Sequence, residues 1–233
     1  MMKSYLIKNH KLWQKSYSAP NVENVIFRLQ GRILKKQYKL PKKNKLTTML
    51  DFGCGQGATV NYFNQCGYDA YGVDISEIDI EIAKARYPQI AHKLFVCKPD
   101  VFKVPMTKFT ENKKISLITG QQSLYYFDKE DFFTLLKNFK NSLETKGLLY
   151  ASMMSTSHTY YKYSKKTEFE WLRKTNFSGK RLKFKDYYNF HCESEEDVCK
   201  KFSMFKKIHC GSYHLQIEED ETNNHHYLIL CQK

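Results

Sequence analysis

The chain has 233 residues, 42% of them apolar and 27% charged, enough to bury one full core without disulfides or metals. That composition excludes a collagen, a low-complexity array and a disordered chain. The net charge of +14 comes almost wholly from lysine, with only five arginines (Arg28, Arg32, Arg86, Arg173, Arg181) among 38 basic residues. Nucleic-acid readers lean on arginine for bidentate contacts, so the excess reads first as a solvated basic surface and second as a match for an acidic partner. No apolar run is long enough to span a membrane, and the segment Met1 to His10 lacks an apolar stretch or cleavage motif. A soluble, cytoplasmic protein without membrane contact is expected. Seven cysteines at scattered spacings, with no C-x-x-C, read as reduced and not metal-binding.

In chain order, residues 1–44 read as an amphipathic helical cap broken at Ser18-Ala19-Pro20-Asn21, with Val22, Val25, Ile26, Leu29, Ile33 and Leu34 at helical spacing. A core over residues 45–154 alternates strand and helix. Strands are expected at 45–52, 68–74, 93–97, 114–120 and 147–154. Helices follow at 58–66, at 77–86 with Ser76 as its cap, and from the cap Asp128 to about Thr145. Such alternation predicts an α/β fold, a mostly parallel sheet with helices on both faces. Residues 155–193, rich in Tyr, Lys, Ser and Thr, form an irregular or β-rich insertion. In residues 194–233 a capping box at Ser194 opens a short helix, and strands at 205–216 and 225–231 should pair antiparallel. The four segments read as one domain.

The chemistry is concentrated in Met49-Leu50-Asp51-Phe52-Gly53-Cys54-Gly55-Gln56-Gly57, at a strand-to-helix junction. Glycines there permit a tight turn and let backbone N–H groups approach a ligand. Gly53 to Ala58 also fits a nicotinamide fingerprint, G-x-G-x-x-A. Asp51 argues against that, because it sits at the strand end where dinucleotide sheets carry an apolar residue.

Leu50 to Gly57 resembles the first motif of the class I S-adenosylmethionine (SAM)-dependent methyltransferases, with Phe52 in place of the commoner Leu or Val. Gly72-Val73-Asp74-Ile75-Ser76 resembles their second motif, Asp100-Val101 their third landmark, and Ile115 to Phe127 their fourth strand and following loop. Leu143 to Leu149 is similar to their L-K-P-G-G turn, with Thr-Lys replacing Lys-Pro and one glycine lost. The resemblance implies a Rossmann-like, seven-stranded fold with an antiparallel C-terminal strand pair, and SAM as cofactor without a metal. It implies cofactor contacts from Asp51, Gly53, Cys54, Gly55, Ile75 and Gln121, with the Asp74 carboxylate on the ribose hydroxyls and Asp100 with Val101 at the adenine. Arg28 would grip the SAM carboxylate, with Arg32 one helical turn away as its competitor, and Trp13 and Tyr17 would fold over the methionine end.

Methyl transfer asks the protein mainly to align reactants and exclude water, with a proton acceptor where the nucleophile is neutral. The ends of strands four and five are where such groups belong. Tyr126 and His158 are the catalytic candidates there; Trp13, Tyr125, Tyr161 and Arg181 are the substrate-side candidates. His191 and the pair His225-His226 rank lower, the pair as structural. No Asn/Asp-Pro-Pro-Tyr and no Pro-Cys is present, which argues against methylation of base amines or of cytosine C5. The expected function is therefore methylation of O or N on a small polar, anionic metabolite such as a phosphorylated, nucleotide-linked or sugar intermediate. An RNA methyltransferase using the basic surface, and a SAM-binding partner protein without catalysis, are the alternatives. The oligomeric state is open.

Overall fold

In a computed structural model, which describes residues 2–15, 20–178, 183–214 and 224–233, the chain begins with helix α1 (Ser4–Trp13). Helix α2 (Asn24–Arg28) passes through a wider turn at Leu29–Leu34 into α3 (Lys35–Gln37). The alternating core follows as β1 (Thr48–Phe52), α4 (Ala58–Gln65), β2 (Asp69–Asp74), α5 (Glu77–Arg86), β3 (Leu94–Val96), β4 (Ile115–Gly120), α6 (Lys129–Ser142) and β5 (Leu143–Met154). The insertion carries α7 (Thr159–Lys162) and a separate antiparallel sheet of β6 (Ser164–Lys166), β7 (Arg173–Ser178) and β8 (Lys183–Asn189). Helix α8 (Glu195–Lys201) and strands β9 (Lys206–Tyr213) and β10 (His226–Gln232) complete the chain.

Local chemistry fixes the helix starts. The side chains of Ser76, Asp128 and Ser194 each accept the N–H three residues on, from Asp79, Asp131 and Asp197, as expected of caps. Acidic residues fill the first turn of α5 and basic ones its last, which suits the helix dipole, and Pro88 ends it.

The seven-stranded sheet runs β3-β2-β1-β4-β5-β10-β9. Pairs from β3 to β5 are parallel; β10 runs antiparallel to both β5 and β9. The period-two alternation shows in the core. Leu50, Ile118, Leu149 and Ala151 pack on one face beneath α6 and α8, while Met49, Leu117, Leu148 and Tyr150 pack on the other beneath α2, α4 and α5. Strand five starts earlier than the expected 147. Leu143 already pairs with Ile115, then Leu117 meets Leu148, and the extra residues bulge with Lys146 at φ +64°. Helix α6 accordingly stops at Ser142 rather than near Thr145.

Strand order reverses at β1: the chain moves outward to β2 and β3, then returns to place β4 on the other side of β1. The crevice beyond the carboxyl ends of β1 and β4 is where such sheets hold ligands. Helix α1 is strapped across that end. Lys3 pairs with Asp128 (2.7 Å), Glu130 (3.0 Å) and Asp131 (3.1 Å), and the Tyr5 hydroxyl donates to Asp131 at 2.5 Å. Asn9 exchanges two hydrogen bonds with the Tyr188 backbone (2.7 and 2.9 Å), tying α1 to β8. Gln14, just past the helix, donates to the Ile75 carbonyl at 2.6 Å and accepts the Glu77 N–H at 3.3 Å. Among the described residues no helix is long and apolar enough to cross a membrane.

Candidate functional site

The turn after β1 is built on positive φ: +77° at Gly53, +49° at Gly55 and +76° at Gly57. The Gly53 and Cys54 N–H groups both donate to the Val73 carbonyl, at 2.8 and 3.0 Å, which clamps the loop onto the end of β2. A Cβ at Gly53 would sit 2.5 Å from Cβ of Ser123, whose hydroxyl donates to the Phe52 carbonyl at 2.7 Å. Gly72 serves the same turn from beneath, since a Cβ there would lie 2.7 Å from both Sγ of Cys54 and Cγ2 of Val60. Glycine is required at Gly53 by left-handed backbone and close approach together, and at Gly72 by close approach alone.

A cavity of about 300 Å³ opens over this turn. Asp51, Phe52, Gly53, Cys54, Gly55, Asp74, Ile75, Cys97, Pro99 and Val101 line one end; Gln121, Gln122, Ser123, Tyr126 and Phe127 line the other. Leu6, Asn9, Trp13, Asn21 and Glu23 close it from the N-terminal side. Asp74, at the end of β2, accepts the Gly55 N–H (2.8 Å) and the Ser76 N–H (2.9 Å). Burial pushes its pKa up to about 6 despite those donors. Burial likewise pushes Asp51 up to about 7; the Thr119 hydroxyl, donating at 2.5 Å, opposes the shift and the nearby Asp74 charge adds to it. Among the described lining residues there are three carboxylates and no lysine or arginine.

The roof is aromatic. The Trp13 ring stands edge-on to Tyr126, with centroids 5.8 Å apart, and the Tyr187 hydroxyl donates to that of Tyr126 at 2.6 Å. Behind Tyr126 the rings of Tyr125, His226, Tyr213, His158 and Tyr160 continue the layer. Burial drives the histidines towards neutrality, His158 to about 4 and His191 and His226 to about 3. Among the described residues, the buried ring nitrogens of His191 and His226 have no partner at hydrogen-bond distance and angle.

Of the residues expected from sequence, the cavity gathers Trp13, Asp51, Gly53, Cys54, Gly55, Asp74, Ile75, Val101, Gln121 and Tyr126. Several others take different places. Arg28 lies on the exposed side of α2, away from the lining, and Arg32 is exposed as well, because Ile26 and Leu29 are the positions that turn into the core. Asp100 caps the turn Val101–Lys103 through its carbonyl while Val101 faces the cavity. Tyr125 is buried behind Tyr126 and does not line the space. His158 uses both ring nitrogens: Nδ1 accepts the Tyr160 N–H at 3.1 Å, so the neutral ring carries its proton on Nε2, 3.2 Å from Oδ1 of Asn224. Both ring nitrogens are thus engaged within the roof, and His158 does not line the cavity. Tyr161 packs on the Arg173 guanidinium, 4.5 Å from ring centre to cation, and on His191, outside the lining. Tyr17 and Arg181 lie outside the described residues.

Sequence reasoning missed Glu23 and Gln122 in the lining, which meet Tyr213 on the β4 side of the cavity. Gln121 and Gln122 donate from their amides to Glu23 at 2.8 and 2.7 Å, and the Tyr213 hydroxyl joins them. The three segments lie far apart in the chain and carry no motif. Only Gln122 shows strain, at φ +53°.

A family model described as a methyltransferase domain matches residues 26–198. The chain belongs to the methyltransferase domain family. With the SAM-type motifs in place at β1 and β2, it is a SAM-dependent methyltransferase. Solved structures agree in fold. A SAM-dependent methyltransferase from Methanosarcina mazei superposes with a TM-score of 0.63 at 15% identity, covering 91% of this chain and 98% of that one. One from Anabaena variabilis gives 0.62 at 14%, covering 98% and 91%. Magnesium protoporphyrin IX methyltransferase from Synechocystis, with bound SAM, gives 0.55 at 13%, covering 100% and 86%. At such identities the likeness is one of fold alone. No curated protein matches the chain in sequence.

The residues present suit this cofactor. Asp74 offers a bidentate acceptor for a diol beside the glycine turn, and among the described residues Oε1 of Gln121 is a buried acceptor without a donor. Among the described residues no cluster of His, Cys, Asp and Glu has the arrangement of a metal site.

Proposed function

We propose that the chain methylates an oxygen or nitrogen atom of a small polar molecule bound beneath the aromatic roof. The observation that carries this reading is the single cavity, which runs from the Asp74 and glycine-turn end to Trp13 and Tyr126 under a strapped helix. In that arrangement the carboxylate of Asp74 would hold the ribose, the Gly53–Gly55 turn would lie against the cofactor, and Ile75, Cys97, Pro99 and Val101 would flank the adenine. The bound cofactor supplies an activated methyl group on a sulfonium. The protein's own work is to exclude water with Trp13, Phe127 and the Tyr126–Tyr187 pair, and to orient the acceptor.

The expected anionic character of the acceptor has no support in the described lining, which offers it no cation. The three carboxylates and the neutral phenol of Tyr126 in that lining favour an acceptor that is uncharged or cationic at its binding groups. A half-open cavity of about 300 Å³ has room for a metabolite-sized acceptor. The test is transfer of label from methyl-tritiated SAM into fractionated extract. Label in the low-molecular-weight fraction is the expected result. Label confined to RNA or protein would overturn the reading, and SAM binding with no transfer to any fraction would assign the chain a non-catalytic role.

A further inference from the structure

The β4 side of the cavity carries a carboxylate where the sequence led us to expect an arginine. Glu23 is partly buried there, and burial pushes its pKa up while the Gln121 amide and the Tyr213 hydroxyl hold it down. Oε1 accepts from Gln122 at 2.7 Å; Oε2 accepts from Gln121 at 2.8 Å and from Tyr213 at 3.4 Å. Among the described residues no lysine or arginine pairs with it. A partly buried carboxylate held by neutral donors alone gains from a ligand that brings a positive charge. Beside it, Oε1 of Gln121 is buried without a donor among the described residues. Carboxylate and orphan carbonyl together make a receptor for a group with several N–H donors and a positive charge.

Topology says which group that is. Asp51 pairs with Thr119 across β1 and β4, which brings the Gly53 turn beside Gln121. A nucleoside whose ribose sits on Asp74, at the β1–β2 side, must therefore send its 5′ substituent across the turn towards Gln121 and Glu23. We propose that Glu23 is the counter-ion of the cofactor's α-ammonium group, with Oε1 of Gln121 as a second acceptor. The aminocarboxylate end of the cofactor is thus anchored through its nitrogen, not through an Arg28–carboxylate pair. This rests on the SAM reading of the cavity.

Calorimetric titration tests it with S-adenosylhomocysteine, its deaminated analogue (carboxylate kept) and its decarboxylated analogue (ammonium kept), on the wild type and on Glu23→Gln. The wild type should bind the decarboxylated compound within about threefold of S-adenosylhomocysteine and the deaminated one about 30-fold more weakly, the worth of one charge-assisted hydrogen bond. Glu23→Gln should lose about 30-fold for both compounds that carry the ammonium and nothing for the deaminated one. If the wild type does not distinguish the deaminated analogue, or if Glu23→Gln weakens all three alike, the assignment is overturned. The wild-type comparison needs no variant to fold. Methylthioadenosine, which lacks the whole aminocarboxylate, separates the two readings: if it binds while the ammonium preference is absent, only the Glu23 assignment falls. If no nucleoside binds, the SAM reading falls and takes this assignment with it.

Discussion

The two ends of the cavity are built from different materials. The β1–β2 end is glycine, backbone N–H and carboxylate, drawn from two short contiguous stretches, residues 51–57 and 72–75. The roof over β4, β5 and β10 is phenol, indole and imidazole, drawn from Trp13, Tyr126, Tyr187, Tyr213 and His226 in separate segments. Burial acts on both, with opposite sign. It raises the carboxyl pKa values of Asp51 and Asp74 and lowers those of His158, His191 and His226. The first end is a frame for a ligand rich in donors, and the second is a neutral enclosure.

The largest expected effect comes from breaking the frame. Gly53→Ala should cost about 3 kcal/mol of unfolding free energy, from left-handed strain plus the clash with Ser123, as read by urea unfolding. A cost near zero would show that the turn relaxes freely. The next effect belongs to the roof. An unfolded histidine titrates near its ordinary value of 6.5, while His226 in place titrates near 3. Below pH 6.5 the unfolded chain therefore takes up a proton that the folded chain refuses, and stability falls as pH falls. Each such histidine removes about 2 kcal/mol between pH 8 and pH 5. His226→Phe should lessen the acid sensitivity by that amount, and an unchanged pH profile would contradict the buried neutral ring.

Asp51 and Asp74 work the other way. Their folded pKa values lie above the unfolded one, so their contribution is present at low pH and is lost as pH rises towards 6 and 7. A ligand whose hydroxyls donate to Asp74 favours its charged form. Binding of S-adenosylhomocysteine near pH 6 should therefore release about half a proton from Asp74, and almost none at pH 8. Calorimetry in buffers of different ionisation enthalpy reads this directly, and proton uptake would reverse the assignment. The smallest effect separates the cavity from its surroundings: Arg28→Ala should change S-adenosylhomocysteine affinity by less than about twofold. A tenfold loss would return the arginine to the site.

The difference between the ends also explains what the sequence made legible. Asp51, Gly53, Gly55 and Asp74 could be placed because a strand, a turn and a helix in immediate succession constrain each residue by its neighbours. The caps at Ser76, Asp128 and Ser194 were visible for the same reason. Glu23, Gln122 and Tyr213 were not, because their meeting depends on how a helical cap, a β4 loop and a C-terminal strand settle on one another. Arg28 was expected at the site from spacing, which does not say which helical face it occupies; the burial of Ile26 and Leu29 turns it outward. His158 stood at the right strand end, yet its hydrogen bonds to Tyr160 and Asn224 could not be read from its position. The roof sheet was seen only as a β-rich insertion, since its short strands lack clear periodicity.

The central claim is that the Asp74 end of this cavity holds an S-adenosyl nucleoside. Calorimetric titration of the wild type and of Asp74→Ala with S-adenosylhomocysteine, with NAD as the control ligand, tests it most directly. The account predicts micromolar binding to the wild type, binding about 100-fold weaker to Asp74→Ala, and none of NAD. Equal affinity in the two proteins, or a preference for NAD, would contradict it.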